Sequence, residues 1–587
     1  MSRLSVVLKI GLSTLFAVVF IAACAKSNVP EVELKVPSPE ILKKHCEEMI
    51  GEPRIERISE HVWVAIGYDL ANVVLIHTDG GNVIVDTAMS PARAKTIKEA
   101  LSAKAPTGPT KAIIYTHSHI DHIGGASVWE EEGTRIWATE AFIKHFLKQY
   151  GIFRPSETVR AMRQFGHHLS KSDLPCSAIG ARMDIGAALE SGVRLPTHTF
   201  SGSKVLEIGG LRIELHEAHG ETHDHLFVWL PQDGTLIPGD NFYWTFPNLY
   251  TVRGTSPRPV NEWIKSLDKM RRRNPEHLVP MHTKPIHGKK KIAEVLTNYR
   301  DAIQWIRDEV VRGANRGEDI DSMAQNIKLP PHLAQHHYLL EMYGQVDWSV
   351  RAIYDNDQGW FDGRPDKLYT LSSKEIARRE VMLFGGPERL FGLAVKALEA
   401  DDARWAVHLL AKLDDSGLAT GVLAESLPGK LADSYKKLAE SVYNTNGRAY
   451  ILESALELTH DFPTRDTPKV NEKVVSRVPL EIIFSIMEVR LIPEKAADVY
   501  ESVQFVFPDE NKRFVVTVRK GVAETTEGDP LPGTPEPLAI VTANSQTYRR
   551  IAMNITGPAA AYTSGKLKVK GSYLGLLKFL GRFQRGI

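Results

Sequence analysis

Within six residues the chain reads His117-Ser118-His119-Ile120-Asp121-His122, which sets four potential metal ligands almost side by side. Imidazole nitrogen and carboxylate oxygen suit a divalent ion such as Zn²⁺. The apolar run Lys111-Ala-Ile-Ile-Tyr115 leads into them and is predicted to be a strand. Alternate residues of an extended segment project to one side, so His117 and His119 can hold one ion. Asp121 and His122, past the turn, can reach a second. Gly124-Gly125 then permits a tight turn into a helix. Histidine supplies only 22 of 587 residues, so composition alone does not explain three within six positions. Two ions roughly 3.5–4 Å apart can share a water and lower its pKa from about 15.7 toward neutrality, which makes a hydroxide at pH 7. No serine or cysteine nucleophile is then needed.

The elements around this cluster are predicted from periodicity. His61–Ile66 alternates, and Asn72–Ile76 and Asn82–Asp86 are buried-type strands joined by a hairpin turn at Asp79-Gly80-Gly81. A helix is expected over Ala92–Ala103 and strands over Ile136–Ala138, Leu211–Leu215 and Leu226–Leu230. Residues 140–198 read as a mostly helical insertion. This order suggests an α/β fold, an αββα sandwich with sheets inside and helices outside, over residues 51–290. Apolar residues at helical spacing in Tyr299–Val310, Ala394–Leu413 and Leu431–Val442 make residues 291–465 all-helical. Alternation at Val503, Phe505, Phe507 and at Phe514, Val516, Val518 makes residues 466–587 a small α+β domain.

The net charge of +1 predicts no general attraction to nucleic acid or to an anionic membrane. The N-terminus is distinctive. Arg3 and Lys9 precede an apolar stretch, Ile10–Ala23, that is short for a spanning helix and ends in Ile21-Ala22-Ala23-Cys24. That ending resembles a bacterial lipobox, so residues 1–24 are expected to be a signal peptide and Cys24 the lipidation site; the alternative is a plain secretory signal cut nearby, with Cys24 incidental. Residues 25–50 then read as a polar tether leading into a short helix. The mature protein is expected to be exported, as a periplasmic or outer-membrane lipoprotein held to the membrane by its N-terminal lipid. Cys46 and Cys176 are the other two cysteines, and an exported location permits a disulfide without showing that they meet.

The His117–His122 cluster resembles the signature of the metallo-β-lactamase superfamily, which draws its remaining ligands from three later loops. In Ala218-His219-Gly220-Glu221-Thr222-His223-Asp224-His225 the resemblance implies Glu221 as third ligand of the first ion, with His219, His223 and His225 as rivals. In Pro238-Gly239-Asp240-Asn241 it implies Asp240 as the carboxylate between the ions, and in Val279-Pro-Met-His282 it implies His282 on the second. Asp121 and Asp240 are the acidic groups expected at the reaction centre. The wider sequence resembles the bacterial zinc-dependent alkyl sulfatases: Asn248-Leu-Tyr-Thr-Val-Arg-Gly254, Tyr343-Gly344, Arg351-Ala-Ile-Tyr354 and Gly359-Trp-Phe-Asp-Gly363 follow their order. Ser564–Gly571 and the apolar Tyr573–Leu580 are similar to a sterol-carrier lipid-binding fold.

This implies two zinc ions per chain, a homodimer through the helical domain, and an alkyl sulfate or similar anionic amphiphile as substrate, split into an alcohol and inorganic sulfate. A sulfate head needs cations and donors, so Arg253 and Asn248 are candidate contacts and Arg351 a further one. The chain departs from that family at Glu221-Thr-His-Asp-His225, which is closer to β-lactamase relatives, at Asp240, where the family commonly has glutamate, and at Asp347-Trp-Ser349, where it reads Ser-His-Asn. Asp347 would repel a sulfate unless an arginine such as Arg351 paired with it. Two other readings fit the same residues: a hydrolase of this fold acting on another ester, lactone, lactam or phosphate ester, and a lipid-binding lipoprotein with a structural metal site.

Overall fold

The computed structural model describes residues 31–183, 192–462 and 472–584. The expected signal peptide and Cys24 lie outside these residues.

Strands whose two faces are both buried define the catalytic region. In Val62–Ile66 every residue is buried, because alternate side chains enter two different cores. Val62, Val64 and Ile66 pack between the sheets, against Ile213, Leu215, Val228 and Ile237. Trp63 and Ala65 point the other way, to Ala94, Ile97 and Leu101 of the helix Pro91–Ser102. Burial of such apolar side chains stabilises the fold by about 1.5–3 kcal/mol each.

The first sheet has seven strands in chain order, from Arg54–Arg57 to His198–Phe200, antiparallel up to Gly81–Val85 and parallel beyond. The second has six, from Ser203–Ile208 to Ile286–His287. Its outer face, with Phe227, Trp229 and Leu278, is covered by Trp263, Leu267 and Met270 of Val260–Arg271 and by the stripe Ile292, Val295, Leu296, Tyr299 of Lys289–Asn315. The αββα sandwich is therefore as expected. The helix Lys289–Asn315, expected to open the helical domain, is in its packing the outer layer of this one.

Helices then run from Ile320–Asn326 to Thr445–Thr459. The stretch Ala394–Leu413, expected to be one helical run, is split between Pro387–Glu399 and Ala403–Ser416. Asp401 takes φ 63° there, and the Asp402 carboxylate accepts the Trp405 N–H, so a new N-cap competes with continuation.

The C-terminal region is a five-stranded sheet ordered Val522–Glu527, Lys512–Arg519, Tyr500–Phe507, Ala539–Ala543, Leu567–Gly571. Phe484 of the helix Leu480–Glu488 stacks on Phe514 and Tyr548 at its centre.

The expected tether differs. From residue 31 onward it is packed: the Leu34 and Val36 N–H groups donate to the Asp173 carboxylate, Arg448 donates to the Val36 carbonyl, and Val36 and Leu42 are buried. A disulfide joins Cys46 to Cys176 of the insertion, with 5.8 Å between their Cα atoms. Among the described residues no helix is long and apolar enough to cross a membrane.

Candidate metal centre

The strand Thr110–Ile114 ends against Asp86, the residue after the neighbouring strand Gly81–Val85. Asp86 adopts φ 56°, a left-handed position that aspartate tolerates better than most residues. Its carboxylate accepts the Thr116 N–H and hydroxyl, each at 2.8 Å, and contacts His122 Nδ1 at 2.6 Å. Gly124 and Gly125 have ordinary φ values of −68° and −95°, so a tight turn is not why they are glycine. Space is the reason: a Cβ on Gly124 would sit 1.7 Å from the Met89 carbonyl oxygen, and on Gly125 2.1 Å from that of Thr87.

Two groups of buried ligand atoms result, each within 4.8 Å: His117, His119 and Asp240, and Asp121, His122 and His282. Asp240 Oδ2 lies 3.7 Å from His117 Nε2, 3.3 Å from His122 Nε2 and 3.0 Å from His282 Nε2, so it faces both groups. His117 Nε2 is 2.8 Å from His119 Nδ1, and Asp121 Oδ2 is 3.3 Å from His122 Nε2. The far nitrogen of each of three rings is held: His117 by Thr116 Oγ1 at 3.1 Å, His122 by Asp86, and His282 by the Leu70 carbonyl at 2.8 Å. Outer partners of this kind fix the orientation of a metal-binding imidazole. The loop bearing His282 is itself tied down by Asn72, whose amide donates to the Pro280 and Thr283 carbonyls.

Electrostatics agree with this arrangement. Burial, with further help from His122 for one and Arg253 for the other, holds His117 and His119 far below the usual imidazole range, so both are neutral and free to donate a lone pair. Burial pushes the Asp240 carboxyl up, but His122 and His282, whose own pKa values Asp240 and Asp121 raise, outweigh it and keep it well below the carboxylate range. His122 Nε2 and Asp240 Oδ1 are buried without hydrogen-bond partners. Such orphaned atoms are costly, and within a His/Asp cage they fit divalent metal ions.

Glu221 is not drawn into either group. Its carboxylate meets the Arg258 guanidinium, while its N–H donates to Asn241 Oδ1 at 2.9 Å. The rival histidines do not replace it. His225 Nε2 accepts the Asp240 N–H at 2.9 Å and so props the loop behind Asp240. His223 stacks on His145 and contacts the Pro257 carbonyl, and His219 lies 3.8 Å from Glu217.

Arg253 reaches the centre. It is buried, pairs with Glu157 at 3.0 Å, and places a guanidinium nitrogen 3.1 Å from His119 Nε2. Arg258, five residues on in the same loop, was not singled out from sequence although the same charge argument applies to it. It contacts Glu221 and the Asn248 carbonyl, and burial draws its pKa down to about 9. Both amide atoms of Asn248 are buried and unpartnered. A cavity of about 290 Å³ opens here, lined by Ser118, His145, Phe153, Glu221, Arg253 and Arg258 among others.

Arg351 is a correction. It is half exposed on the helix Val346–Gln358 and pairs with Asp321 at 2.6 Å, away from this cavity. It therefore does not neutralise Asp347, whose carboxylate accepts the Trp348 N–H at 2.8 Å; Asp347 does not line the cavity either.

A sandwich with this twin His/Asp cage at its strand ends defines the metallo-β-lactamase class, and the description "Metallo-beta-lactamase superfamily" matches residues 66–282. "Alkyl sulfatase dimerisation" matches residues 319–461 and "Alkyl sulfatase C-terminal" residues 468–586. A linear primary-alkylsulfatase of Pseudomonas sp. (strain ATCC 19151) is 32% identical over 87% of this chain and 98% of its own. An (R)-specific secondary-alkylsulfatase of Pseudomonas sp. is 26% identical over 88% of this chain and 78% of its own. The solved structure of the stereoselective inverting sec-alkylsulfatase Pisa1 from Pseudomonas sp. superposes with TM-score 0.83 at 23% identity, covering 93% of this chain and 87% of that one. The chain belongs to the alkyl sulfatase family.

Proposed function

We propose that this protein is a zinc-dependent hydrolase of alkyl sulfate monoesters, releasing an alcohol and inorganic sulfate. The observation that carries the reading is the pair of buried ligand groups sharing Asp240 beside a cavity walled by Arg253 and Arg258. His117, His119 and Asp240 would hold one ion, and Asp121, His122, His282 and Asp240 the other. Glu221 would complete the first: its backbone is pinned beside Asp240 through Asn241, and its carboxylate is held by Arg258. When bound, such ions supply a hydroxide at neutral pH and polarise the ester oxygen.

The chain's own residues do the rest. Arg253 and Arg258 offer fixed guanidinium forks to the sulfate oxygens, and Asn248, which lies behind the cavity wall, holds Arg258 through its backbone carbonyl. Phe153, more than half exposed at the cavity wall, gives an alkyl chain an apolar surface on leaving it. The test is a panel in which the metal-replete protein meets dodecyl and octyl sulfate, nitrocefin, a lactone and a phosphate monoester. Inorganic sulfate release, by ion chromatography, is expected to dominate and to stop with a chelator. Preferred cleavage of the lactam, lactone or phosphate ester would overturn the substrate while leaving the metal centre standing.

Residues 319–461 support a homodimer. Export as a lipoprotein, anchored through Cys24, rests on Ile21-Ala22-Ala23-Cys24 and is supported by the Cys46–Cys176 disulfide, since such bonds persist in oxidising compartments. Mass spectrometry of the mature N-terminus tests it. A lipidated Cys24 is expected, and an intact Met1 or an unlipidated start past residue 24 refutes it.

A further inference from the structure

The cavity beside the metal centre holds more positive charge than one sulfate group uses. Its lining includes four cations, Lys148, Arg160, Arg253 and Arg258, and two carboxylates, Glu157 and Glu221. Both carboxylates are already taken, Glu157 by Arg253 at 3.0 Å and Glu221 by Arg258. Among the described residues no carboxylate forms an ion pair with Lys148 or Arg160.

Both cations are nevertheless held in place. Arg160, on the helix Arg154–Phe165, donates from Nη2 to the Val252 carbonyl at 2.7 Å. Its guanidinium packs against Gly254, whose φ of 92° and missing side chain admit it: a Cβ there would sit 2.9 Å from Nη1 and 3.2 Å from Cζ. Lys148 Nζ donates to the Ser256 hydroxyl at 2.8 Å. Both acceptors are neutral and belong to the loop that carries Arg253. An ammonium has three donors and a guanidinium five, so each cation keeps donors to spare.

A neighbouring group registers this charge. His145 lines the same cavity and stacks on His223 with ring centroids 5.4 Å apart. Burial first, then His223, Lys144 and Lys148, draws its pKa down to about 4, so the imidazole is neutral at pH 7.

A sulfate monoester bears one negative charge, and its oxygens fall to Arg253 and Arg258 in the reading above. The other two cations stay unmet. A purely apolar tail laid against them would strip water from the half-buried Arg160 guanidinium without replacing it, which is unfavourable. An anion would replace that water with charge-assisted hydrogen bonds.

We propose that the cavity favours sulfate esters carrying a second anionic group, a carboxylate or a further sulfate, held by Arg160 and Lys148. This rests on the reading of the site as a sulfate-ester hydrolase, and it puts dianionic esters ahead of plain alkyl sulfates of the same length.

The test is calorimetric binding of sulfonates to the zinc-loaded protein, since sulfonates keep the anionic head but have no ester bond to cleave. Propanedisulfonate and hexanedisulfonate, with a sulfonate at each end, are compared with the monosulfonates of equal length. At least one disulfonate is expected to bind roughly tenfold to a hundredfold tighter, the effect of one hydrogen-bonded charged contact. In Arg160→Gln combined with Lys148→Gln the preference is expected to vanish. Lys148→Gln alone, at an exposed position, should reduce it about threefold and serves if the double variant does not fold. No disulfonate preference at either length, or a preference undiminished in the folded variants, would overturn the inference. Sulfate release from dodecyl sulfate, assayed alongside, separates the two readings. Release without a disulfonate preference sinks this inference alone. A preference without release from any ester sinks the hydrolase reading and leaves the anion subsite standing.

Discussion

Gly180→Ala is a remote substitution that should weaken one metal site and spare the other. Gly180 lies four residues beyond Cys176, where the insertion packs under the loop before the strand Val73–Thr78. A Cβ built on it would fall 1.8 Å from the Leu70 carbonyl oxygen, 2.6 Å from its carbon and 2.9 Å from its Cα. That carbonyl holds His282 Nδ1 at 2.8 Å. Leu70 is backed by Asp69, whose carboxylate accepts the Leu70 and Met89 N–H groups and whose carbonyl accepts the Ala181 N–H. To reach ordinary contact, the methyl and the oxygen must separate by more than about 1 Å. A bond stretched by that amount no longer orients the ring. Losing such an outer partner costs about 10–100-fold in metal affinity, or about 1.4–2.7 kcal/mol. The ion held by Asp121, His122 and His282 should therefore be stripped first in a chelator titration, while that held by His117 and His119 keeps its affinity. Sulfate release should fall in step and return with excess zinc. If both ions kept wild-type affinity while only the thermal midpoint dropped, the insertion rather than Leu70 would have yielded, and the reasoning would be wrong.

Other outcomes follow from the same geometry. Arg253→Ala removes the proposed bidentate partner of the sulfate, a contact worth about 1.5–3 kcal/mol, so kcat/KM for dodecyl sulfate should drop tens-fold or more; an unchanged value rules Arg253 out as a contact. Because Glu157 would then be buried unpaired, the double variant with Glu157→Gln should recover thermal stability but not turnover. Glu221→Gln should loosen the first ion, and elemental analysis at unchanged stoichiometry and affinity would remove Glu221 from the ligand set. Cys46→Ser opens a loop of 130 residues' separation and should cost about 2–5 kcal/mol in denaturant unfolding under oxidising conditions, whereas a null effect would make the N-terminal packing sufficient alone.

The parts of this molecule legible in sequence are those whose signal is local. Asn72–Ile76 and Leu226–Leu230 read as strands because two-sided burial leaves continuous apolar runs, and His117–His122 because four ligands crowd one turn. Asp240 and His282 were reached through family order, not periodicity, and both came to the centre. Long-range pairings carry no such trace. Nothing near Glu221 marks Arg258 as its partner across 37 positions, and nothing near Arg351 marks Asp321. The packing of the segment 31–50 escapes a sequence reading for a related reason. Its charged residues face water, while its backbone N–H groups bind Asp173, more than 130 residues away, and hydropathy does not register backbone partners.

The central claim, a two-ion sulfate-ester hydrolase, is tested most directly by reconstitution. Metal-free protein is titrated with zinc while bound ion and inorganic sulfate release from dodecyl sulfate are measured in the same samples. The geometry of Asp240 between two ligand groups predicts sulfate release that rises with bound zinc and levels off at about two ions per chain. Full release from the metal-free protein, or a plateau at one ion with no further gain, would contradict it.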